Sequence, residues 1–304
     1  MKEYLVKTKS LSSLNNHSFS LNKQSFLSDK QSFLSDKQSF LLNKRQKIVI
    51  VTLLSTLAII ISTQLPLFLY HGYRIFIVLA IVVYLLCLWA LKEGMNITKA
   101  LTLLLLPVTY ALALPNFYLF QPLWEIRWQT RIPLAIFFAA SFYILLLSQN
   151  VFNVASIRTI PLYRAASTVS FVYTILISFL VFYVIHFFKL AFYLNGLLIA
   201  LISFFLILSL LWTVEMEERI SAQLLTYSFT LAVILGELGM VLSFWPLSPY
   251  NFMWSVGISS AFFILGGISL DYLRERLTAN GLYLFLSYGV LVFLVLYLTT
   301  SWSG

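Results

Sequence analysis

The sequence predicts an all-α, polytopic transmembrane helix bundle of about nine spans behind a disordered basic tail, and three observations carry that expectation. Sixty per cent of the residues are hydrophobic and only 10% are charged. A soluble domain lacks the polar surface to cover so much apolar side chain, whereas lipid asks for no such cover. Apolar runs of about 20 residues also recur along the chain, the length at which a helix crosses a hydrocarbon core roughly 30 Å thick. Finally, the runs are continuous rather than alternating. In lipid the backbone must satisfy its own hydrogen bonds, and continuous runs do so as helices, not as barrel strands.

The net charge of +9 is unevenly placed. Residues 1–47 hold nine Lys/Arg and three acids, and the remainder holds eleven and eight. A basic stretch beside a membrane is explained by attraction to anionic lipid, so nucleic acid is not an expected partner. Residues 1–46 are rich in Ser, Asn, Gln and Lys and repeat KQSFLSD from Lys23 and Lys30, then KQSF from Lys37. Each unit offers only adjacent apolar residues, Phe26-Leu27, Phe33-Leu34 and Phe40-Leu41. A coiled coil needs spacings of three and four, so the tail is expected to be disordered and to brush the bilayer surface. Residues 47–304 form the transmembrane domain.

Nine candidate spans follow in order, at about 48–70, 73–91, 99–114, 132–149, 166–188, 194–213, 222–245, 252–270 and 280–300. The third is short and interrupted by Pro107, and if it were re-entrant the chain would have eight spans. With nine, Lys92, Lys99, Arg158, Arg164, Arg219, Arg274 and Arg276 share a side with Lys44, Arg45 and Lys47. Only Arg74, Arg127, Arg131 and Lys189 fall opposite. The positive-inside rule therefore expects nine spans with the N-terminus cytoplasmic and the C-terminus outside.

Few residues invite chemistry. Glu237, in LAVILGELGMVLSFW, is the only acid well inside a span and is flanked by Gly236 and Gly239. A charged carboxylate at that depth costs several kcal/mol unless it is paired, solvated or protonated. It is thus either a proton- or cation-coupling site or a hydrogen-bonding group that holds helices together. Candidate partners are His186, Tyr110, Ser255 and Ser259. His186, within a turn of Lys189, reads as a boundary residue rather than a ligand. In the segment 149–165, Asn150, Asn153, Arg158 and Arg164 can contact a phosphate or lipid headgroup, although an interfacial helix whose arginines obey the charge rule accounts for them as well. Trp124, Arg127, Trp128 and Arg131 have the spacing of an interfacial aromatic anchor.

One cysteine, Cys87, and three scattered histidines supply no disulfide framework or metal-ligand spacing, and HExxH and the Walker A loop are absent, so no cofactor is expected. Asp271, Arg274 and Glu275, like Glu215 and Arg219, read as solvated helix ends.

The strings QNVFNVASIRTIPLYRAAS (149–167), LNGLLIALISFFLILSLLW (194–212) and LGELGMVLSFWPLSP (235–249) resemble a family of integral membrane proteins from candidate-phylum bacteria, catalogued as a domain of unknown function. The resemblance spans about residues 130–277. It implies a bacterial cytoplasmic membrane and says nothing of activity.

Three functional classes survive. The first is a structural or accessory bilayer protein without intrinsic catalysis, favoured by the scarcity of polar residues in the spans. A small-solute or lipid transporter using Glu237 is the second. The third is a lipid-modifying membrane enzyme, which would need Arg158, Arg164, Glu215, Glu217 and Asp271 to converge on the cytoplasmic face.

Overall fold

A computed structural model describes residues 43–63, 73–120, 130–156, 161–217, 219–245 and 252–300. The tail repeats, the aromatic anchor around Trp124–Trp128 and Arg158 lie outside the described residues. The chain divides into two units, Met1–Lys47 and Ile48–Gly304. In the first, the Asn43 amide donates to Gln46 Oε1 at 3.0 Å and the Lys47 amide to the Asn43 carbonyl at 3.0 Å, which opens a helix.

Among the described residues nine helices are long and apolar enough to cross a membrane. They are α1 (Lys44–Ser62), α2 (Tyr73–Leu91), α3 (Ile97–Leu119), α4 (Arg131–Ala155), α5 (Tyr163–Phe187), α6 (Phe192–Glu215), α7 (Ala222–Ser243), α8 (Phe252–Leu273) and α9 (Ala279–Thr299). No strand occurs among the described residues beyond an isolated bridge position at Thr300.

The patterning of α1 shows which solvent the fold is built for. Its inner face carries Thr52, Ser55, Thr56 and Ser62, all buried, while Leu53, Leu57 and Ile61 stand outward. Small and hydroxylated residues inward with bulky apolar residues outward is the arrangement a membrane favours and water does not. Three of these hydroxyls are satisfied by their own helix, Thr52 donating to the Ile48 carbonyl at 2.8 Å, Thr56 to that of Thr52 at 2.7 Å and Ser62 to that of Ile59 at 2.9 Å, while that of Ser55 is buried without a partner among the described residues.

The third helix is central rather than marginal. It runs 23 residues through Pro107 and Pro115, packs against α2, α4, α5 and α6, and has the most buried span of the nine. Its first turns lie beside the last turns of α6, where Ser209 donates to the Thr102 carbonyl at 2.7 Å. Its last turns reach the opposite end of the bundle, where Phe117 and Tyr183 meet with ring centroids 4.8 Å apart. The run therefore traverses the bundle, and the eight-span alternative drops out. Proline removes one intrahelical hydrogen bond, a loss that neighbouring helices make tolerable in a membrane.

Around α3 the bundle builds outward. Helix α5 bridges α3, α4, α6 and α8; α7 lies chiefly on α6; and α9, with the least buried span, packs chiefly on α8. The α6–α7 pair is the most intimate. On α7, Ser228, Ala232, Gly236 and Gly239 form a buried small-residue seam. A Cβ on Gly236 would stand 2.8 Å from Ala200 Cβ and 2.9 Å from the Gly196 carbonyl oxygen, so the two backbones touch with nothing between them.

Candidate functional site

Helix ends gather at two levels of the bundle, and one of them carries a basic cavity. At the level where α2, α4, α6 and α8 end and α3 and α5 begin, side chains stitch one helix to the next. The Asn153 amide donates to the Leu91 and Glu93 carbonyls at 3.2 and 2.9 Å, tying α4 to the end of α2. Tyr163 donates to the Thr213 carbonyl at 2.8 Å, tying α5 to α6. The Arg274 guanidinium, just past α8, donates to Ser167 Oγ in the first turns of α5.

That last contact forms one wall of a cavity of about 370 Å³ lined by Tyr163, Arg164, Ser167, Thr168, Arg274 and Arg276. Three guanidinium groups share it and no carboxylate does. Helix α5 also starts here, with no acid in its first turn and with Leu162 at its cap position, which offers no side-chain acceptor. Its leading N–H groups add positive potential of their own.

Glu237 sits in different surroundings. It is exposed, on the face of α7 opposite the α6 contact. Gly236 and Gly239 do seat a neighbouring helix, namely α6, and by doing so they turn Glu237 outward. It has no hydrogen bond or ion pair among the described residues. Gln223, Thr226, Thr230 and Val233 are exposed beside it. At 100° per residue these five positions, four of them polar, fall within an arc of about 80° that also holds the exposed Val241, so α7 carries a mostly polar stripe on the outside of the bundle. Thr226 donates to the Ala222 carbonyl and Thr230 to that of Thr226, both at 2.9 Å, which leaves their oxygens as outward acceptors.

Of the partners considered for Glu237, three are engaged elsewhere, and the fourth, Ser255, has a buried hydroxyl with no hydrogen-bond partner among the described residues. Tyr110 bonds Ser141 at 2.6 Å between α3 and α4. His186 stacks on Trp254 with centroids 4.3 Å apart, joining the end of α5 to the start of α8. Ser259 donates to the Val256 carbonyl at 3.2 Å, and Ser255 is fully buried. Of the headgroup candidates, Arg164 lines the cavity, while Asn153 is spent on the end of α2. Glu215 accepts from Ser221 at 3.0 Å, the residue that caps α7 through the Leu224 amide. Among the described residues no three His, Cys, Asp or Glu gather in a metal-binding group.

Arg274, Arg276, Ser167 and Thr168 escaped the sequence reading because they lie more than 100 residues apart in two helix ends that look merely solvated. The stripe did leave a signal, a spacing of three and four from Gln223 to Glu237, which an otherwise apolar run obscured.

Fold and site together define a multi-pass α-helical membrane protein. No family model, no curated protein and no solved structure matches the chain.

Proposed function

We propose that the chain is a structural or accessory bilayer protein without catalysis of its own, and that it works by self-association through the outer face of α7. The observation that carries this is the outward aim of Glu237. Counting along the helix, its Cα lies about 7 Å from the middle of α7; with that middle placed at the membrane midplane, this is about 8 Å from the edge of the hydrocarbon core, farther than a glutamate side chain reaches. Left against lipid it costs on the order of 3 kcal/mol. A second helix on the stripe removes that cost.

A second copy of the chain fits the stripe best. Two copies share one orientation in a membrane, so a two-fold axis along the membrane normal sets each stripe residue against itself at equal depth. The Gln223 amide can donate and accept, a carboxyl that carries its proton can do both, and the two threonine oxygens can accept, so the stripe can bond to its own copy. Its alternation of three and four suits a left-handed parallel pair. The chain has no Lys or Arg well inside a span that could meet Glu237 instead.

Transport through Glu237 needs an aqueous path between helices, and the carboxyl lies on the outer wall. A lipid enzyme needs an acid among the arginines, and the lining of the cavity holds none. In this proposal the arginine-rich end is cytoplasmic, as are the N-terminus and the basic tail, which rests on anionic lipid; the C-terminus lies outside.

Single-molecule photobleaching of a fluorescently tagged chain in dilute native-membrane vesicles tests the reading. Wild type and Glu237→Gln are expected to bleach in two steps and Glu237→Leu mostly in one. One-step bleaching of the wild type at every density would remove self-association.

A further inference from the structure

We propose that the cavity between the start of α5 and the end of α8 is a binding site for a phosphate-bearing anion, the headgroup of an anionic lipid or a free phosphate compound. The inference is independent of self-association through α7, since it concerns other helices and another end of the bundle.

Four features converge on that chemistry. Arg164, Arg274 and Arg276 face one space of about 370 Å³, within the roughly 300–1,000 Å³ of small-molecule clefts. None of the three is ion-paired to a described carboxylate; Asp271 and Glu275, the acids nearest Arg274 and Arg276 in sequence, do not line the cavity. Arg164 and Arg276 are exposed and Arg274 half-buried, and with no carboxylate in the lining an anion there is attracted by all three. Their planar forks match phosphate oxygens two at a time.

The site is also held in place. Ser167 is 5% exposed and accepts from Arg274, so that this arginine is fixed before any ligand arrives. Tyr163 is pinned by its bond to the Thr213 carbonyl and forms a rigid wall. The start of α5 lies beside the same space with no side-chain cap, and its positive end adds to the attraction for an anion. Thr168 lines the same space, and its hydroxyl, which donates to the Arg164 carbonyl at 3.2 Å, would have to leave that bond to donate to an anion. The cavity sits where helices end, the depth at which lipid phosphates lie.

The test uses the full chain in nanodiscs of phosphatidylcholine alone, or with 20% phosphatidylglycerol, read by native mass spectrometry and by thermal unfolding with added inorganic phosphate. Wild type should retain phosphatidylglycerol through gentle delipidation or be stabilised by millimolar phosphate in phosphatidylcholine discs. Retention of lipid without an effect of phosphate assigns a headgroup; stabilisation by phosphate alone assigns a soluble ligand; both outcomes support the site. Arg164→Gln with Arg274→Gln and Arg276→Gln should reduce binding at least tenfold. Arg276→Gln alone, at an exposed side chain with no hydrogen bond, should reduce it several-fold without altering the fold. Arg219→Gln, on the same side but away from the cavity, should leave it unchanged. No binding by wild type in either form, or an equal loss in Arg219→Gln, overturns the proposal.

Discussion

Replacing Gly236 with alanine tests the contact that turns Glu237 outward. The added methyl would stand 2.8 Å from Ala200 Cβ, 2.9 Å from the Gly196 carbonyl oxygen and 3.5 Å from Ala200 Cα. Carbon atoms rest about 3.5–4.0 Å apart, so α7 must withdraw from α6 by roughly half an ångström or more. Withdrawal loosens the whole seam from Ser228 to Gly239, and overpacking of this kind costs about 1–3 kcal/mol. Alanine also favours a helix over glycine by about 1 kcal/mol, which works the other way. The net expectation is a loss of about 0–2 kcal/mol, toward the upper end because the obstacles are backbone and a Cβ rather than the tip of a flexible side chain. Adding Ala200→Gly removes one of the two closest contacts and leaves the carbonyl, so rescue is expected to be partial. Steric trapping or reversible unfolding in mixed micelles, run as a double-mutant cycle, reads both numbers. Stability above wild type for Gly236→Ala, or losses that simply add in the double variant, would refute the close backbone contact.

Other expectations rest on single hydrogen bonds. Ser141→Ala leaves the buried Tyr110 hydroxyl without the partner it has at 2.6 Å, and should cost about 1–3 kcal/mol in the same unfolding assay. Tyr110→Phe should cost less, because Ser141 keeps its bond to the Phe137 carbonyl at 2.6 Å; the reverse order would contradict the network. Asn153→Ala removes the amide that satisfies the Leu91 and Glu93 carbonyls, and hydrogen exchange should accelerate at the end of α2 and in the turn that follows while the middle of α3 stays protected. Unchanged exchange at Leu91–Met95 would show that the bond carries no weight.

How much of this was legible in the sequence depended on whether the cause was local. Helix number and placement follow from the length of the apolar runs, which the bilayer sets directly. Eight of the nine runs match their helices to within a turn or two, apart from the far end of the first, whose tail falls among undescribed residues. The third run is short in the sequence and interrupted by Pro107, and α3 carries Thr109, Tyr110, Pro115 and Asn116 as well. In the fold those residues are shielded by four neighbouring helices, and a central helix tolerates what a lipid-facing one does not. The segment after 149 has the composition of an interfacial stretch, yet α4 continues to Ala155, with Gln149 buried and the Asn153 amide bonded to the end of α2. The intramembrane acid was visible at once, but its direction was not. Glu237 lies one residue from Gly236, and only the choice of α6 as the neighbour decides which way it faces. The arginine cavity was invisible for the same reason, being assembled by packing between helices that the sequence keeps far apart.

The account stands or falls on α7 meeting its own copy. Single cysteines at Thr230, Val233 and, as a control, Leu284 on the 65%-exposed outer face of α9 can be introduced with the buried Cys87 left in place, and oxidised in native membranes. The prediction is a disulfide-linked dimer from Val233→Cys and Thr230→Cys, abolished by adding Glu237→Leu, and none from Leu284→Cys. Monomer at all three positions, or equal cross-linking at Leu284→Cys, would contradict it.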